Sequence, residues 1–321
     1  MSTKNTKTLA LTVKFTISIG LIWYLLQSID LGSAWSRMLG ADTIDLALAV
    51  LVITVQVIIS VFRWRAVMVA INAVLPAWLT LRIYLIGLFF NQVLPSSVGG
   101  DAVRIYKSFR AGLSLSAAVH SVMLERAATV LGLLILVTVT APFFQGHVDQ
   151  ADTNWMVLFS AFLLVCGLIG IIVLMYLDRV PSKFRSWRFV GTLSNLAANT
   201  RRTFLSPRHA AQVVGWGVLG HVAIAIGVFF IARSLNLAVT VLDCMVLMPP
   251  VMLVTTLPIS IAGWGVREGA MVTAFALIGI QSDDALVLSF LFGIMSVLFA
   301  VPGGITWLLT TEKKVEPISQ E

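Results

Sequence analysis

The sequence predicts an all-α, polytopic integral membrane protein with two inverted-topology halves, each containing a re-entrant broken-helix hairpin. Three observations predict this fold: its hydropathy, the alternation of basic and non-basic loops, and a repeated motif. Of the 321 residues, 58% are hydrophobic and only 12% are charged, and the mean hydropathy is +0.95. A soluble globular chain is nearer half apolar and a quarter charged. The surplus apolar surface is therefore expected to face lipid.

Several apolar stretches are long enough to cross the hydrocarbon core of a bilayer, which takes about 20 mainly apolar residues in a helix. These predicted spans are Leu9–Gln27, Ile44–Phe62, Ala117–Pro142, Trp155–Leu177, His209–Ile231 and Ala285–Leu309. Two shorter apolar stretches, Trp78–Val93 and Val241–Leu257, end in breaks that contain proline.

The net charge of +7 reflects basic residues that cluster in short loops, so membrane topology explains it and no nucleic-acid partner is predicted. The loop 178–208 is rich in arginine and is predicted to be cytoplasmic. The loop 143–154 contains no Lys or Arg and is predicted to lie on the other side. Lysines near both chain ends place the N- and C-termini on the cytoplasmic side.

The assignment of sides predicts the two hairpins. The spans on either side of residues 78–116 require that segment to begin and end on the cytoplasmic side, so it should enter the membrane, break at Leu94–Asp101 and return. The same reasoning predicts a second hairpin over residues 241–280 that enters from the opposite side and breaks at 258–265. The chain is then a single domain, 1–321, with halves at roughly 1–142 and 153–311.

The two breaks have similar sequences, which predicts an internal repeat. Residues 94–104 read LPSSVGGDAVR and residues 257–267 read LPISIAGWGVR, with six of eleven positions identical and no gap. Inverted repeats with broken helices are typical of transporters whose site lies near the membrane midplane. Lipid cannot satisfy the backbone polar groups at a break, so protein or a polar ligand must reach them. The helix N-termini after the breaks suit phosphate or carboxylate.

Few charged residues fall within the predicted spans, where a charge costs at least about 2.5–3.5 kcal/mol. Arg104 and Arg267 end the two motifs, and two interpretations of them stay open. They could bind a lipid phosphate, because guanidinium matches phosphate oxygens in a bidentate fork. They could also pair internally, Arg104 with Glu125 and Arg267 with Glu268. The substrate-binding candidates are Asn91, Asp101, Arg104, Trp264 and Arg267, and the ion-pair or gating candidates are Glu125, Arg126 and Glu268.

Other polar residues are predicted to have structural roles. Arg63 and Arg65 are expected at the inner membrane surface, where they set topology and contact lipid, and Trp64 is expected in an interfacial aromatic belt. The histidines and cysteines show no spacing typical of a metal site or a disulfide framework, so no cofactor is predicted. They are His120, His147, His209, His221, Cys166 and Cys244.

Taken together, the motifs resemble the flippase-like transmembrane family, which includes the membrane domain of lysylphosphatidylglycerol synthases. The resemblance rests on Asn91–Pro95, Gly99–Arg104, Glu125–Arg126 and 257–268, in that order, and covers nearly the whole chain. It implies a flippase that moves a lipid with an anionic, aminoacylated or glycosylated phosphate headgroup between leaflets of the bacterial cytoplasmic (inner) membrane. By motif match it implies functional roles for Asn91, Arg104, Glu125, Arg126, Arg267 and Glu268.

One departure from the family pattern is Thr129, which stands where an acid often follows the Glu-Arg pair. The aminoacyltransferase domain of bifunctional relatives is absent from this sequence, so the chain is not expected to be an enzyme that makes its own lipid. Two other functions stay open. The first is that of a non-transporting partner of an envelope lipid-synthesis enzyme. In either case the chain could form an oligomer. Less favoured is an intramembrane lipid-modifying enzyme that uses Asp101, Glu125 and Glu268.

Overall fold

The computed structural model describes residues 36–94, 99–144, 150–179, 188–256, 260 and 262–309. The statements below concern these residues. Several sequence predictions lie outside them, namely the first span Leu9–Gln27, the lysines near both termini, His147, and the prolines of the two repeated motifs.

Within the described ranges the chain is helical and contains no β-strand. The helices of eleven residues or more are α1 (Thr43–Ala70), α2 (Ala77–Val93), α3 (Gly99–Arg110), α4 (Leu115–Thr140), α5 (Gln150–Met175), α6 (Arg188–Phe204), α7 (Pro207–Ser234), α8 (Val241–Thr256), α9 (Val266–Ala276) and α10 (Ser282–Leu309). The helices α1, α4, α5, α7 and α10 are long and apolar enough to cross a membrane. The prediction of a polytopic helical membrane protein is confirmed.

The helices of the two halves follow the same order of lengths. Helices α1 and α7 both have 28 residues, α2 and α8 have 17 and 16, α3 and α9 have 12 and 11, and α4 and α10 have 26 and 28. The helix before each hairpin is followed by an asparagine with positive φ, Asn72 (56°) or Asn236 (55°). The second helix of each hairpin is followed by a glycine with positive φ, Gly112 or Gly279. These left-handed residues satisfy the last carbonyls of each helix.

Contacts between α1 and α7, the first helices of the two predicted halves, fix the relative direction of these two helices. Asp45, in the first turn of α1, pairs with Arg233 in the last turn of α7. Further along α1, Ile59 lies against Gly220, nearer the start of α7. These equivalent helices are therefore antiparallel. The halves also exchange contacts, because α2 packs on α10 and α8 packs on α4.

The first hairpin consists of two short antiparallel helices, α2 and α3, and in the second hairpin the short helices α8 and α9 pack together. In the first, a Cβ atom on Gly100 would lie 2.6 Å from Cγ of Asn91, and one on Gly87 would lie 2.7 Å from Cγ of Arg104. The 17 and 12 residues of α2 and α3 give lengths of about 25 and 18 Å. Both are shorter than the hydrocarbon core, which is about 30 Å thick. The hairpins thus have dimensions that suit re-entry, and their insertion into the bilayer stays a prediction.

One predicted helix boundary is wrong, and one helix was not predicted. The span expected to end at Phe62 continues to Ala70, so Arg63, Trp64 and Arg65 lie inside α1. The arginine-rich loop 178–208 contains an amphipathic helix, α6. Its buried face includes Leu196 and Thr200.

Candidate functional site

Glu125, on α4, is the centre of a buried charge network beside the first hairpin. Its Oε1 atom accepts hydrogen bonds from Nε and Nη2 of Arg63 on α1, at 2.8 and 2.5 Å. Its Oε2 atom accepts a bond from Nη1 of Arg104 on α3, at 3.2 Å. The exposed fractions of the three residues are 1%, 5% and 3%, so the ions depend on one another rather than on solvent.

Asp101, in the first turn of α3, extends the network to a third arginine. Its Oδ1 atom accepts from Nη1 of Arg104 at 3.1 Å, and its two oxygens accept from Arg126 at 2.6 and 3.0 Å. The network therefore contains three arginines and two carboxylates, with a net charge of +1 when all are ionised. The side chain of Arg126 is 42% exposed, so the network reaches the protein surface at this end.

Arg104 uses only part of its hydrogen-bonding capacity. Its guanidinium lies 4.1 Å from the ring centre of Trp64 and 5.0 Å from that of Tyr84, which hold it by cation–π contact. Its Nη1 atom bonds both carboxylates. Among the described residues, its buried Nε and Nη2 atoms have no hydrogen-bond partner. This edge of the guanidinium, which we call the open edge, therefore lacks an acceptor from the part of the chain that the structure describes.

Asn91, near the end of α2, caps the helix that carries Asp101 and Arg104. Its Oδ1 atom accepts a hydrogen bond from the backbone N–H of Gly100, at 2.9 Å. The preceding helix, α2, ends at Val93, and the extended backbone of Leu94 (ψ 145°) suits a residue before proline. In this geometry Asn91 positions the start of α3, and its predicted contact with substrate stays a prediction.

The second hairpin holds a different, closed arrangement around Arg267. Nη2 and Nε of Arg267 donate to Oε1 of Glu268, at 2.6 and 3.2 Å, and Ser289 of α10 bonds both side chains. The Oε2 atom of Glu268 accepts from the backbone N–H of Gly265, at 2.6 Å, which caps α9. This pair is neutral and 4% and 1% exposed.

Trp264 and Gly293 complete the second cluster. The guanidinium of Arg267 lies 4.5 Å from the ring centre of Trp264. A Cβ atom on Gly293 of α10 would lie 2.9 Å from both Arg267 Cζ and the Trp264 ring, so only glycine leaves room for them. Within the described residues, no hydrogen bond or ion pair joins this cluster to the one around Arg104.

The structure brings Asn91, Asp101, Arg104, Glu125 and Arg126 together at the first hairpin, and Trp264, Arg267 and Glu268 at the second. Both predicted ion pairs, Arg104–Glu125 and Arg267–Glu268, are present.

Sequence reasoning missed two members of the first cluster. Arg63 was expected at the membrane surface, yet it is buried and makes the shortest ion pair to Glu125. Trp64 was expected in an interfacial belt, yet it is fully buried beneath Arg104 and donates to Ser121. The signal for Arg63 was Glu125 itself, since a carboxylate within a span needs a cation from another span.

The remaining titratable residues form no metal-binding cluster within the described ranges. His120 and His221 are buried. Cys166 and Cys244 are not joined in a disulfide.

A family model described as the lysylphosphatidylglycerol synthase TM region matches residues 11–304. The match includes both hairpins and all residues of both charged clusters. Among curated proteins, none matches the sequence.

Proposed function

The chain belongs to the family of the lysylphosphatidylglycerol synthase TM region, and from this premise we propose that it is a flippase. Its substrate is a membrane lipid with an anionic phosphate headgroup, which can carry an aminoacyl or sugar group. Family membership and the membrane-spanning helices associate the chain with membrane lipids. Translocation is the function that the geometry of the first cluster supports best.

The observation that carries this proposal is the open edge of Arg104 in a network of net charge +1. The Nε and Nη2 atoms of one guanidinium present two parallel N–H groups, which fit two oxygens of a phosphate. Leaving such donors buried without a partner costs about 1–3 kcal/mol each. A bound phosphate would satisfy both donors and compensate the extra positive charge. The N-terminus of α3 adds partial positive charge at the same place.

The transport step follows from the cost of desolvation. A charged headgroup crosses hydrocarbon very slowly because it must lose its hydration. The donors of the first cluster would replace that hydration while the acyl chains stay in the bilayer. The exposed side of Arg126 provides a polar entrance to the cluster. The neutral Arg267–Glu268 pair holds the second hairpin, and alternating access would come from movement of one inverted half against the other.

We further place the protein in the bacterial cytoplasmic membrane with both termini in the cytoplasm, on the basis of the basic loop 178–208 and the terminal lysines. It acts on its lipid without a chemical reaction.

Lipid translocation in proteoliposomes tests the proposal. The full chain is reconstituted with trace fluorescent phosphatidylglycerol, lysyl-phosphatidylglycerol, phosphatidylcholine or a polyprenyl phosphate, and a membrane-impermeant quencher reports the exposed pool. We expect faster exchange of an anionic or aminoacylated lipid than of phosphatidylcholine. Arg104→Lys keeps the charge but loses the fork, and should slow exchange at least about tenfold. The control is Arg179→Lys, because Arg179 is exposed beyond α5.

Each contrary outcome has a distinct meaning. If folded protein accelerates no lipid, the flippase proposal is wrong and a partner role with a lipid-synthesis enzyme becomes the better account. If mass spectrometry shows a chemically altered lipid, the protein is an enzyme. If Arg104→Lys translocates as fast as wild type, the open edge of Arg104 is not the headgroup site.

A further inference from the structure

His221 lies at the middle of α7, beside the first charged cluster. It is the fifteenth of the 28 residues of this helix, about 21 Å from its start, and is 7% exposed. An ionisable residue at this depth in a spanning helix is costly and is more often functional than incidental.

The hydrogen bond of His221 fixes which ring nitrogen can take a proton. Its Nε2 atom lies 3.0 Å from the backbone carbonyl oxygen of Thr129 on α4. A carbonyl oxygen only accepts, so Nε2 carries the hydrogen in the neutral ring. Nδ1 is therefore the basic nitrogen. Among the described residues, no hydrogen bond to Nδ1 is present.

The charged groups that face His221 belong to the first cluster. From α1, Arg63 reaches the adjacent residue of α7, since a Cβ atom on Gly220 would lie 3.1 Å from its Nη1. From α4, Glu125 is connected through Thr129, whose hydroxyl donates to the Glu125 backbone carbonyl at 2.8 Å and also lies 3.3 Å from Glu125 Oε1. His221 thus contacts the residue that bonds the central carboxylate of the network.

The other helices packed on α7 carry their charges towards its ends. Arg202 lies in the last turn of α6, and its backbone carbonyl contacts His209 in the first turn of α7. Asp243 lies in the first turn of α8, shortly after α7 ends, and Asp283 and Asp284 lie in the first turn of α10. Arg63 and Glu125 are therefore the ions that decide the charge state of His221.

The charge of the network makes protonation of His221 depend on the substrate. Without a ligand the cluster already has a net charge of +1, so a further positive charge beside Arg63 is disfavoured. An anionic headgroup at Arg104 would cancel the excess, and a proton on His221 would then be tolerated. Because coupling between two binding sites is reciprocal, protonation would also strengthen binding of the headgroup.

We infer that His221 takes up a proton when an anionic headgroup binds the Arg104 cluster, so that lipid translocation is coupled to proton movement. This inference rests on the proposed function and names its coupling ion. His221 is a positioning and coupling residue, since it acts through Thr129 and Glu125 rather than by touching the lipid.

Calorimetric titration tests the inference. The full chain in detergent is titrated with dihexanoyl phosphatidylglycerol from pH 6 to 8, in two buffers that differ in ionisation enthalpy, which gives the number of protons taken up per lipid. Wild type should take up close to one proton per lipid, and its affinity for the lipid should fall by up to about tenfold for each unit that pH rises. In His221→Gln, whose amide can still donate to Thr129, uptake and pH dependence should be lost.

His120→Gln is the matched control. His120 is also buried, but it bonds the Asn199 side chain of α6 at 2.9 Å instead of the charged cluster. Its substitution should leave proton uptake at the wild-type value. Nitrogen-15 NMR of the histidine rings in wild-type protein gives a second readout, in which His221 should be charged only with lipid present.

The outcomes separate this inference from the proposed function. Lipid binding without proton uptake in wild type, or equal uptake in wild type and His221→Gln, would overturn the role of His221 and leave the flippase proposal intact. Absence of lipid binding by folded wild-type protein would overturn both.

Discussion

Substitution of the central carboxylate, Glu125→Gln, is the perturbation whose effect the structure defines best. Glu125 accepts two bonds from Arg63, one from Arg104 and one from the hydroxyl of Thr129. A glutamine has nearly the same shape, but its NH₂ group would face donors. The substitution also raises the net charge of the buried network from +1 to +2.

The magnitude follows from what the arginines lose. Removing one partner of a buried ion pair typically costs about 3–5 kcal/mol, because the other charge stays buried and unpaired. Here two arginines, 5% and 3% exposed, lose the same partner, so we expect a loss at the upper end of that range. Removing the excess charge as well, in Glu125→Gln with Arg63→Gln, should recover about 0.5–3 kcal/mol.

Equilibrium unfolding of the full chain in mixed micelles measures these free energies. Asp178→Asn is the control, because Asp178 forms an arginine pair of similar geometry with Arg201 at a more exposed position. Its loss should be far smaller, as is usual for exposed pairs. The reasoning would be refuted by a Glu125→Gln variant as stable as Asp178→Asn, or by a double variant whose loss equals the sum of the single losses.

Three other predictions concern local structure. Gly303→Ala should lower the free energy of unfolding by about 1–3 kcal/mol, because the new Cβ atom would overlap a backbone carbonyl of α2. Gly170→Ala is the control: Gly170 has open space around it, so the free energy of unfolding in the same denaturant titration should change by less than about 0.5 kcal/mol. Ala262→Gly should raise thermal stability by up to about 1 kcal/mol, because Ala262 has φ of 51°; unchanged melting would contradict this. The hydrogen bond from Arg201 holds the pKa of the Asp178 carboxyl below its ordinary value of 3.8. The stabilisation from this ion pair is complete above pH 3.8 and is lost as pH falls through the lowered pKa. The difference in melting temperature between wild type and Asp178→Asn should therefore shrink in acid. A difference that grew in acid would contradict the pairing.

The hairpin ends could be predicted from the sequence because their signals are local. Loss of hydropathy, a proline and the following glycines predicted a first short helix over residues 78–93, and the structure has it at Ala77–Val93. The second was predicted over 241–257 and is described over Val241–Thr256. The matching motifs also predicted the inverted halves, which the antiparallel contact of α1 and α7 supports.

The position of Arg63 could not be predicted in the same way. Two arginines after an apolar stretch are typical of a span that has reached the membrane surface. The helix instead continues, because Arg63 finds Glu125 on α4 and Trp64 bonds Ser121. Both contacts join residues about 60 positions apart. Hydropathy and periodicity report only on neighbouring residues, so they cannot predict such contacts.

Helix α6 was missed for a different reason. The arginines of residues 178–208 predicted a cytoplasmic loop, although Leu196, Thr200 and Thr203, which are buried, follow helical spacing. The sequence also did not predict that the two motif arginines pair with different sets of carboxylates. Both motifs end in arginine, but Arg104 meets acids from its own helix and α4, while Arg267 meets its sequence neighbour Glu268.

The central claim is that the open edge of Arg104 holds the phosphate of the transported lipid. Solid-state NMR of the reconstituted protein, with nitrogen-15 in arginine side chains and natural phosphorus in the lipid, measures this contact directly. We predict nitrogen–phosphorus dipolar coupling that disappears in Arg104→Lys and persists in Arg267→Lys. Absence of coupling in wild type with a transported lipid, or its persistence in Arg104→Lys, would contradict the account.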